Sequence, residues 1–266
     1  NQLTINEGNL NVYSRKILGF DKEIDYQNCE LQASSFFKKI FIRKDPPFND
    51  DYLNLTYLLD HADKEGINVI NNPSSIRNHN EKLSTLNFKE IIPPTIVTSN
   101  SYDVINFLNI HKKIVLKPIN EMGGNGIFLI EKLDKNINSI LETLTVNDTK
   151  VMMAQKYIPD ITEGDKRIIV IKGEPLPFCL ARIPGEKDFR ANLAKGGNGV
   201  AKKLTADDIK IVNLIKDYLV KRKLDFVGID VIGKYLTEIN VTSPTCLVEI
   251  ENQTNFDCAK FIIDTL

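Results

Sequence analysis

The stretch VGIDVIGKYLTEINV, residues 227–241, reads as two strands, 227–232 and 235–241, folded back on each other at Gly233-Lys234. The same grammar recurs upstream. Residues 167–171 and 177–182 alternate about Lys172-Gly173-Glu174 and predict a second hairpin. Residues 151–158 form a further apolar run that stops at Pro159, and 114–118 and 126–131 make two more. Between the hairpins, Thr205 and Asp208 spell a capping box ahead of Ile209, Val212, Ile215 and Leu219, which share one helical face. Hairpins interleaved with helices predict an α+β arrangement for this part of the chain.

The N-terminal part has a different rhythm. Lys39-Ile40-Phe41-Ile42-Arg43 is a short apolar strand halted by Asp45-Pro46-Pro47. A helical face follows through Leu55, Leu58, Leu59 and Ala62, closed by Gly66, and then Ile67-Asn68-Val69-Ile70. Strand, helix, strand implies an α/β unit with parallel pairing. The first 40 residues carry only weak alternation. Asn71-Asn72-Pro73-Ser74-Ser75 is a link, which divides the chain into 1–75 and 76–266, with a helix expected from Ile76 to Leu86. Within the second region a small subdomain spans about 90–158 and a C-terminal one about 159–266.

Composition narrows the class of partner. The 266 residues hold 34 basic and 35 acidic side chains, 42% hydrophobic and 26% charged, with a net charge of -1. Such balance predicts no nucleic-acid grip, and no apolar run approaches the ~20 residues of a membrane span. Cys29, Cys179, Cys246 and Cys258 are scattered without CxxC spacing, which points to reduced thiols and a cytoplasmic location. The chain opens at Asn1 without methionine, so the intact protein is expected to be longer, its N-terminal domain lacking a first strand and helix.

Three groups of residues carry the chemistry. Glu238 and Asn240, two apart in a strand, share a face, and Asp230 on the partner strand can meet them. Two carboxylates and an amide oxygen suit a hard cation such as Mg²⁺; a solvated polar hairpin face is the plainer alternative. Lys117-Pro118 followed by Gly123, Gly124 and Gly126 makes a glycine turn able to close over phosphates, or simply a tight hairpin. Arg167, Arg182, Arg190 and Lys195 surround a glycine-rich segment, 184–200, suited to a lid. His61, His79 and His111 read as packing or surface residues.

On these residues the chain resembles the bacterial glutathione synthetases of the ATP-grasp superfamily. The matching stretches are IRKDPPF (42–48), NEKL (80–83), IVLKP (114–118), MGGNGIF (122–128) and GDKRIIV (164–170). They continue through LARIP (180–184), RANLAKGGNG (190–199), FVGIDVIG (226–233) and LTEINVTSPT (236–245). The resemblance implies an ATP-grasp fold behind an N-terminal parallel α/β substrate domain. It implies that Lys82 and Lys117 contact the ATP phosphates under Gly123, Gly124 and Gly126. Gln155, Tyr157 and Ile158 would frame the adenine, and Asp165 the ribose. Asp230, Glu238 and Asn240 would bind Mg²⁺ or Mn²⁺. Arg167, Arg182, Arg190, Asn192 and Ser243 would hold γ-glutamylcysteine, with Arg182 and Arg190 catalytic, and residues 43–47 would border it.

The implied reaction phosphorylates the dipeptide's carboxylate with ATP. Glycine then displaces phosphate to give glutathione, ADP and phosphate. Small molecules are the expected partners of a homo-oligomer that touches neither nucleic acid nor membrane. The rival readings are an ATP-grasp carboxylate–amine ligase for another peptide and a non-catalytic ATP-binding regulator.

Overall fold

The computed structural model describes residues 3–21, 23–185, 188–193 and 196–266. The N-terminal residues form strands β1 (Leu3–Asn6), β2 (Asn9–Ser14), β3 (Ile17–Phe20), β4 (Ile24–Tyr26) and β5 (Glu30–Ala33). They pair only antiparallel, as the sheet β1-β2-β5 and the hairpin β3-β4. The weak alternation of this stretch concealed them, because most of their side chains stay exposed or half-buried. The parallel unit follows as expected: β6 (Lys39–Phe41), helix α1 (Asp50–Lys64) and β7 (Asn68–Ile70), with Phe41 opposite Ile70. Asn49 caps α1 by accepting from the Tyr52 N–H; Asp50 and Asp51 open the helix and Lys64 lies in its last turn, each complementing its dipole. Tyr52, Leu59 and Ala62 bury its inner face against Val69 and Ile42.

The expected helix over 76–86 is two pieces instead, α2 (Pro73–Arg77) and a 3₁₀ turn (Leu83–Asn87). Asn80 breaks it, since its side-chain oxygen takes the N–H groups of Lys82 and Leu83 and nucleates a turn there. Then come β8 (Thr95–Thr98), α3 (Ser101–His111), β9 (Lys113–Pro118), β10 (Phe128–Glu131), α4 (Ile137–Thr145) and β11 (Met152–Lys156). The four strands form one antiparallel sheet, β10-β9-β11-β8, packed through Ile114, Leu116, Ile130 and Met152 against Val104, Leu108 and Leu141.

The second sheet contains β12 (Asp165–Ile171), β13 (Glu174–Ile183), β14 (Asn198–Lys203), β15 (Phe226–Ile232) and β16 (Tyr235–Asn240), in the order β14-β13-β12-β15-β16. Helix α5 (Ala206–Lys221) starts at the predicted Thr205–Asp208 capping box. It lays Ile211, Val212, Ile215 and Leu219 on Ile168, Val170, Val227, Ile229 and Val231. The alternate residues Ile169, Ile171, Leu180 and Phe226 pack on the opposite face with α6 (Leu247–Thr254) and α7 (Cys258–Thr265). Every strand of this sheet pairs antiparallel, as the hairpin pattern predicted. No helix among the described residues is long and apolar enough to cross a membrane.

Candidate active site

Strand alternation decides which side chains meet. Val227, Ile229 and Val231 face α5, so Asp230 faces the other way, with Phe226. Arg167 shares that face with Ile169 and Ile171, and Arg182 shares it with Leu180. Ile239 and Val241 point into the α5 core, which turns Glu238 and Asn240 to the same side as Asp230. The register then sets Arg167 opposite Asp230, Asp230 opposite Glu238, and Asp165 opposite Arg182. A bulge leaves Thr237 unpaired between the 230–238 and 231–236 pairs, and its hydroxyl donates to the Asp230 carbonyl at 3.2 Å. Two residues that far apart in sequence thus become cross-strand neighbours.

The polar groups on this face form a buried network. Arg167 Nη2 donates to Asp230 Oδ2 at 3.0 Å, and its Nε donates to the other oxygen. Arg182 Nη2 lies 2.6 Å from Asp165 Oδ2 and 3.0 Å from Asp230 Oδ2. Burial alone raises the pKa of the Asp230 carboxyl, but the guanidiniums of Arg167 and Arg182 overcome it and hold the group ionised, well below the ordinary carboxylate range. Asp165 goes the other way. Burial, with Asp230 and Glu238 nearby, outweighs Arg182 and pushes it up to about 6, and its Oδ1 is buried with no hydrogen bond. Gly228 is what lets Arg167 lie flat here, because a Cβ there would sit 2.7 Å from Pro244 Cβ and 2.9 Å from Arg167 Cδ.

In front of the network opens a cleft of about 800 Å³, between the two sheets. Lys82, Lys117, Gly123, Gly124, Gln155, Tyr157, Ile158, Asp165, Arg190, Asn192, Asp230 and Glu238 all line it. Lys82 Nζ donates to the Glu121 carbonyl at 2.6 Å and stands 3.7 Å from Glu238 Oε1. Burial lowers the pKa of Lys117, against a raising pull from Glu238. The glycine turn is left-handed at Gly123, Gly124 and Gly126, with φ of 62°, 79° and 64°. Arg190 Nη1 donates to the Gly124 carbonyl at 2.9 Å, so the 188–193 segment rests on that turn. The N–H groups of Lys156 and Tyr157 bond to the carbonyls of Pro94 and Lys113, and the Gln155 side chain to Thr95, so these donors are engaged within the protein.

Five expected residues do not line this cleft. Gly126 packs against Pro118, and Arg167 and Arg182 lie behind Asp230 and Asp165, whose charges the cross-strand register places against them. Asn240 gives its amide N–H to the Gly228 carbonyl at 3.1 Å. Ser243 sits in the coil after β16, beside Pro244, whose carbonyl accepts from Arg43 Nη2 at 2.8 Å. Lys195 lies outside the described residues.

Two of the three expected cation donors, Asp230 and Glu238, line the cleft. Among the described residues no three His, Cys, Asp or Glu side chains are arranged to hold a metal. The Asp230–Glu238 pair nevertheless shares a face with Asn240, whose amide N–H is already spent on Gly228, leaving its oxygen as the donor. Three hard oxygens beside two lysines match a cation shared with phosphates.

Sequence reasoning missed one residue here, Glu81. Glu81 is half-buried, and its carboxylate accepts from the N–H groups of Val241 and Thr242 and from the Thr242 hydroxyl. His79 was placed among packing residues and is buried, yet both ring nitrogens are bonded, to Tyr218 and to the Ile239 carbonyl. The only signal for Glu81 is its place beside Lys82 in the NEKL stretch.

The family model described as prokaryotic glutathione synthetase, ATP-grasp domain, matches residues 81–255, and that of the N-terminal domain matches residues 1–77. The glutathione synthetase of Nitrosomonas europaea is 49% identical over 232 residues, which is 87% of this chain and 72% of that protein. That of Vibrio vulnificus is 46% identical over 247 residues, 93% of this chain and 76% of its own length. Among solved structures, a Chryseobacterium gregarium RiPP-associated ATP-grasp ligase, in complex with ADP and a leader and core peptide, superposes with a TM-score of 0.64. It is 17% identical and covers 98% of this chain and 82% of its own, so the likeness is one of fold. The D-cycloserine synthetase DcsG gives a TM-score of 0.60 at 11% identity, over 82% of this chain and 80% of that one.

Proposed function

The chain belongs to the prokaryotic glutathione synthetase family, and from that premise we infer how its cleft works. It is an ATP-dependent ligase that joins γ-glutamylcysteine to glycine. The observation that carries the site assignment is the gathering of two cation–carboxylate sets on one sheet face beside the cleft: Lys82 with Glu238, and Arg167 and Arg182 with Asp230, the cross-strand neighbour of Glu238. Acyl transfer through phosphate needs a place where a triphosphate and a carboxylate, both anionic, can approach each other. The lysines and guanidiniums gathered here supply positive charge for both.

In this reading Lys82 and Lys117 take the phosphates, with the backbone at Gly123, Gly124 and Gly126 closing over them. Gln155, Tyr157 and Ile158 border the adenine, and Asp165 the ribose. The dipeptide's carboxylate oxygen attacks the γ-phosphorus and ADP leaves, which forms a mixed anhydride. Glycine's amine then attacks the acyl carbon, the phosphate leaves with the bonding electrons, and the amine's proton is released. Arg182 and Arg190 neutralise charge as these anions meet. A guanidinium has five N–H donors, more than Arg167 and Arg182 spend on Asp165 and Asp230, which leaves donors for the dipeptide with Asn192 and Ser243. Asp230, Glu238 and Asn240 would hold a divalent cation, which we assign as Mg²⁺, with Mn²⁺ the substitute. When bound it supplies positive charge at the transferring phosphoryl oxygens. The 188–193 segment, seated through Arg190 on the glycine turn, excludes water from the anhydride.

The domain division at about residue 75, with subdomains at about 90–158 and 159–266, belongs to the same reading. So do a cytoplasmic location, favoured by four free thiols, and homo-oligomeric association, favoured by exposed Ile17, Leu18, Ile24 and Leu31 on the N-terminal strands. The test is ADP release with a panel of acceptor amines. Release that requires both γ-glutamylcysteine and glycine is expected; release with D-alanine or glutamate in place of glycine would contradict the assignment.

A further inference from the structure

The strand that carries Glu238 and Asn240, β16, is an edge strand, with β15 on one side only. Its outer edge is not left to solvent. The segment 79–81 lies along it in place of another strand. The Ile239 N–H donates to the Glu81 carbonyl at 2.9 Å, and the Ile239 carbonyl accepts from His79 Nε2 at 3.2 Å. Beyond the end of the strand, Glu81 Oε1 alone gathers three donors: the N–H of Val241 at 3.1 Å, the N–H of Thr242 at 3.4 Å and the Thr242 hydroxyl at 3.0 Å. The next residue, Lys82, reaches Glu238.

This half-buried carboxylate takes its donors from one short stretch of backbone and its hydroxyl. Those donors flank Asn240 and precede Ser243. A backbone so pinned cannot twist about the 240–242 bonds without breaking the hydrogen bonds to Glu81. On the assignment of Asp230, Glu238 and Asn240 to the cation, we propose that Glu81 is a positioning residue: it fixes the end of β16 so that Glu238 and Asn240 face Asp230, while the same turn delivers Lys82 to the phosphates. Glu81 itself touches neither cation nor nucleotide.

Calorimetric binding of ADP to the full chain, with and without Mg²⁺, tests this whatever the peptide substrate is. In Glu81→Ala the strengthening of ADP binding by Mg²⁺ falls about tenfold, while Mg²⁺-free binding stays within about twofold of wild type. Glu81→Gln keeps one oxygen acceptor and recovers part of the loss. Equal losses with and without Mg²⁺ would mark a general folding role and overturn the proposal, as would a folded Glu81→Ala with the full Mg²⁺ effect. Should Glu81→Ala not fold, Thr242→Val decides, since it removes one of the three bonds: a loss of about threefold in the Mg²⁺ effect supports the proposal and an unchanged effect overturns it. A wild-type chain without any Mg²⁺ effect would overturn it together with the cation assignment.

Discussion

The Arg167 guanidinium grips the Asp230 carboxylate across two neighbouring strands, through Nε and, at 3.0 Å, through Nη2. Both side chains are more than nine-tenths buried. Asp230 is therefore the charge that balances Arg167 and, through a second contact, Arg182. Removing that charge breaks both ion pairs, beyond taking away a proposed cation ligand.

Asp230→Asn leaves two buried guanidiniums short of their counter-charge. The expected cost is about 3 kcal/mol of folding stability, read as a shift in the urea midpoint, together with a loss of turnover of at least about a hundredfold. Full activity at ordinary Mg²⁺ would contradict the cation site, and an unchanged midpoint would contradict the ion-pair network.

Stability should depend on pH through Asp165. Its folded pKa of about 6 lies above the ordinary 3.8, so between these values the native state holds the proton that the unfolded chain has released. Native Asp165 therefore stabilises the fold at the acid end of that window and loses its contribution as pH rises towards 6. Asp230, held below its ordinary range, contributes in the opposite sense, and its contribution fades only as pH falls below about 4. Urea midpoints from pH 4 to 6.5 should rise less steeply in wild type than in Asp165→Asn. Parallel curves would show that Asp165 has no raised pKa.

Gly228→Ala should fail sterically. Its Cβ would meet Pro244 and Arg167 well inside contact distance, costing about 2 kcal/mol and displacing Arg167 from Asp230. Thermal unfolding checks the first effect, and turnover in the surviving folded protein the second.

Gly124→Ala touches the cleft rather than the core. A Cβ there would lie 2.6 Å from Asn192 Oδ1 on a backbone with φ of 79°, so the 188–193 segment must lift from the turn. The KM for ATP should rise about tenfold with little change in unfolding temperature. A normal KM would mean that the segment's seat on Gly124 is irrelevant to nucleotide binding.

The second sheet was legible in the sequence because both of its faces are covered. Burial under α5 on one side and α6 and α7 on the other makes 168–171 and 226–232 near-continuous apolar runs, and the turns at Gly173 and Gly233 punctuate them. Strands β1 to β5 were hidden for the converse reason: Tyr13, Ile17, Leu18 and Leu31 are exposed, so no alternation of burial marks them. Helix 76–86 was misread because apolar spacing carries no record of the Asn80 side chain capturing two backbone donors. In the site, the shared face of Glu238 and Asn240 follows from spacing alone. The pairing of Arg167 and Arg182 with acids rather than open cleft does not, since it depends on inter-strand register. Glu81 was invisible for the same reason, its partners lying 160 residues away.

The central claim is that a mixed anhydride of the dipeptide and phosphate forms in this cleft before glycine is joined. γ-Glutamylcysteine carrying ¹⁸O in its cysteinyl carboxylate tests it directly, by mass spectrometry of the phosphate released during turnover with ATP and glycine. A single labelled oxygen in the phosphate is the predicted result. Unlabelled phosphate, with one labelled oxygen left in the peptide and the other lost to water, would contradict the account.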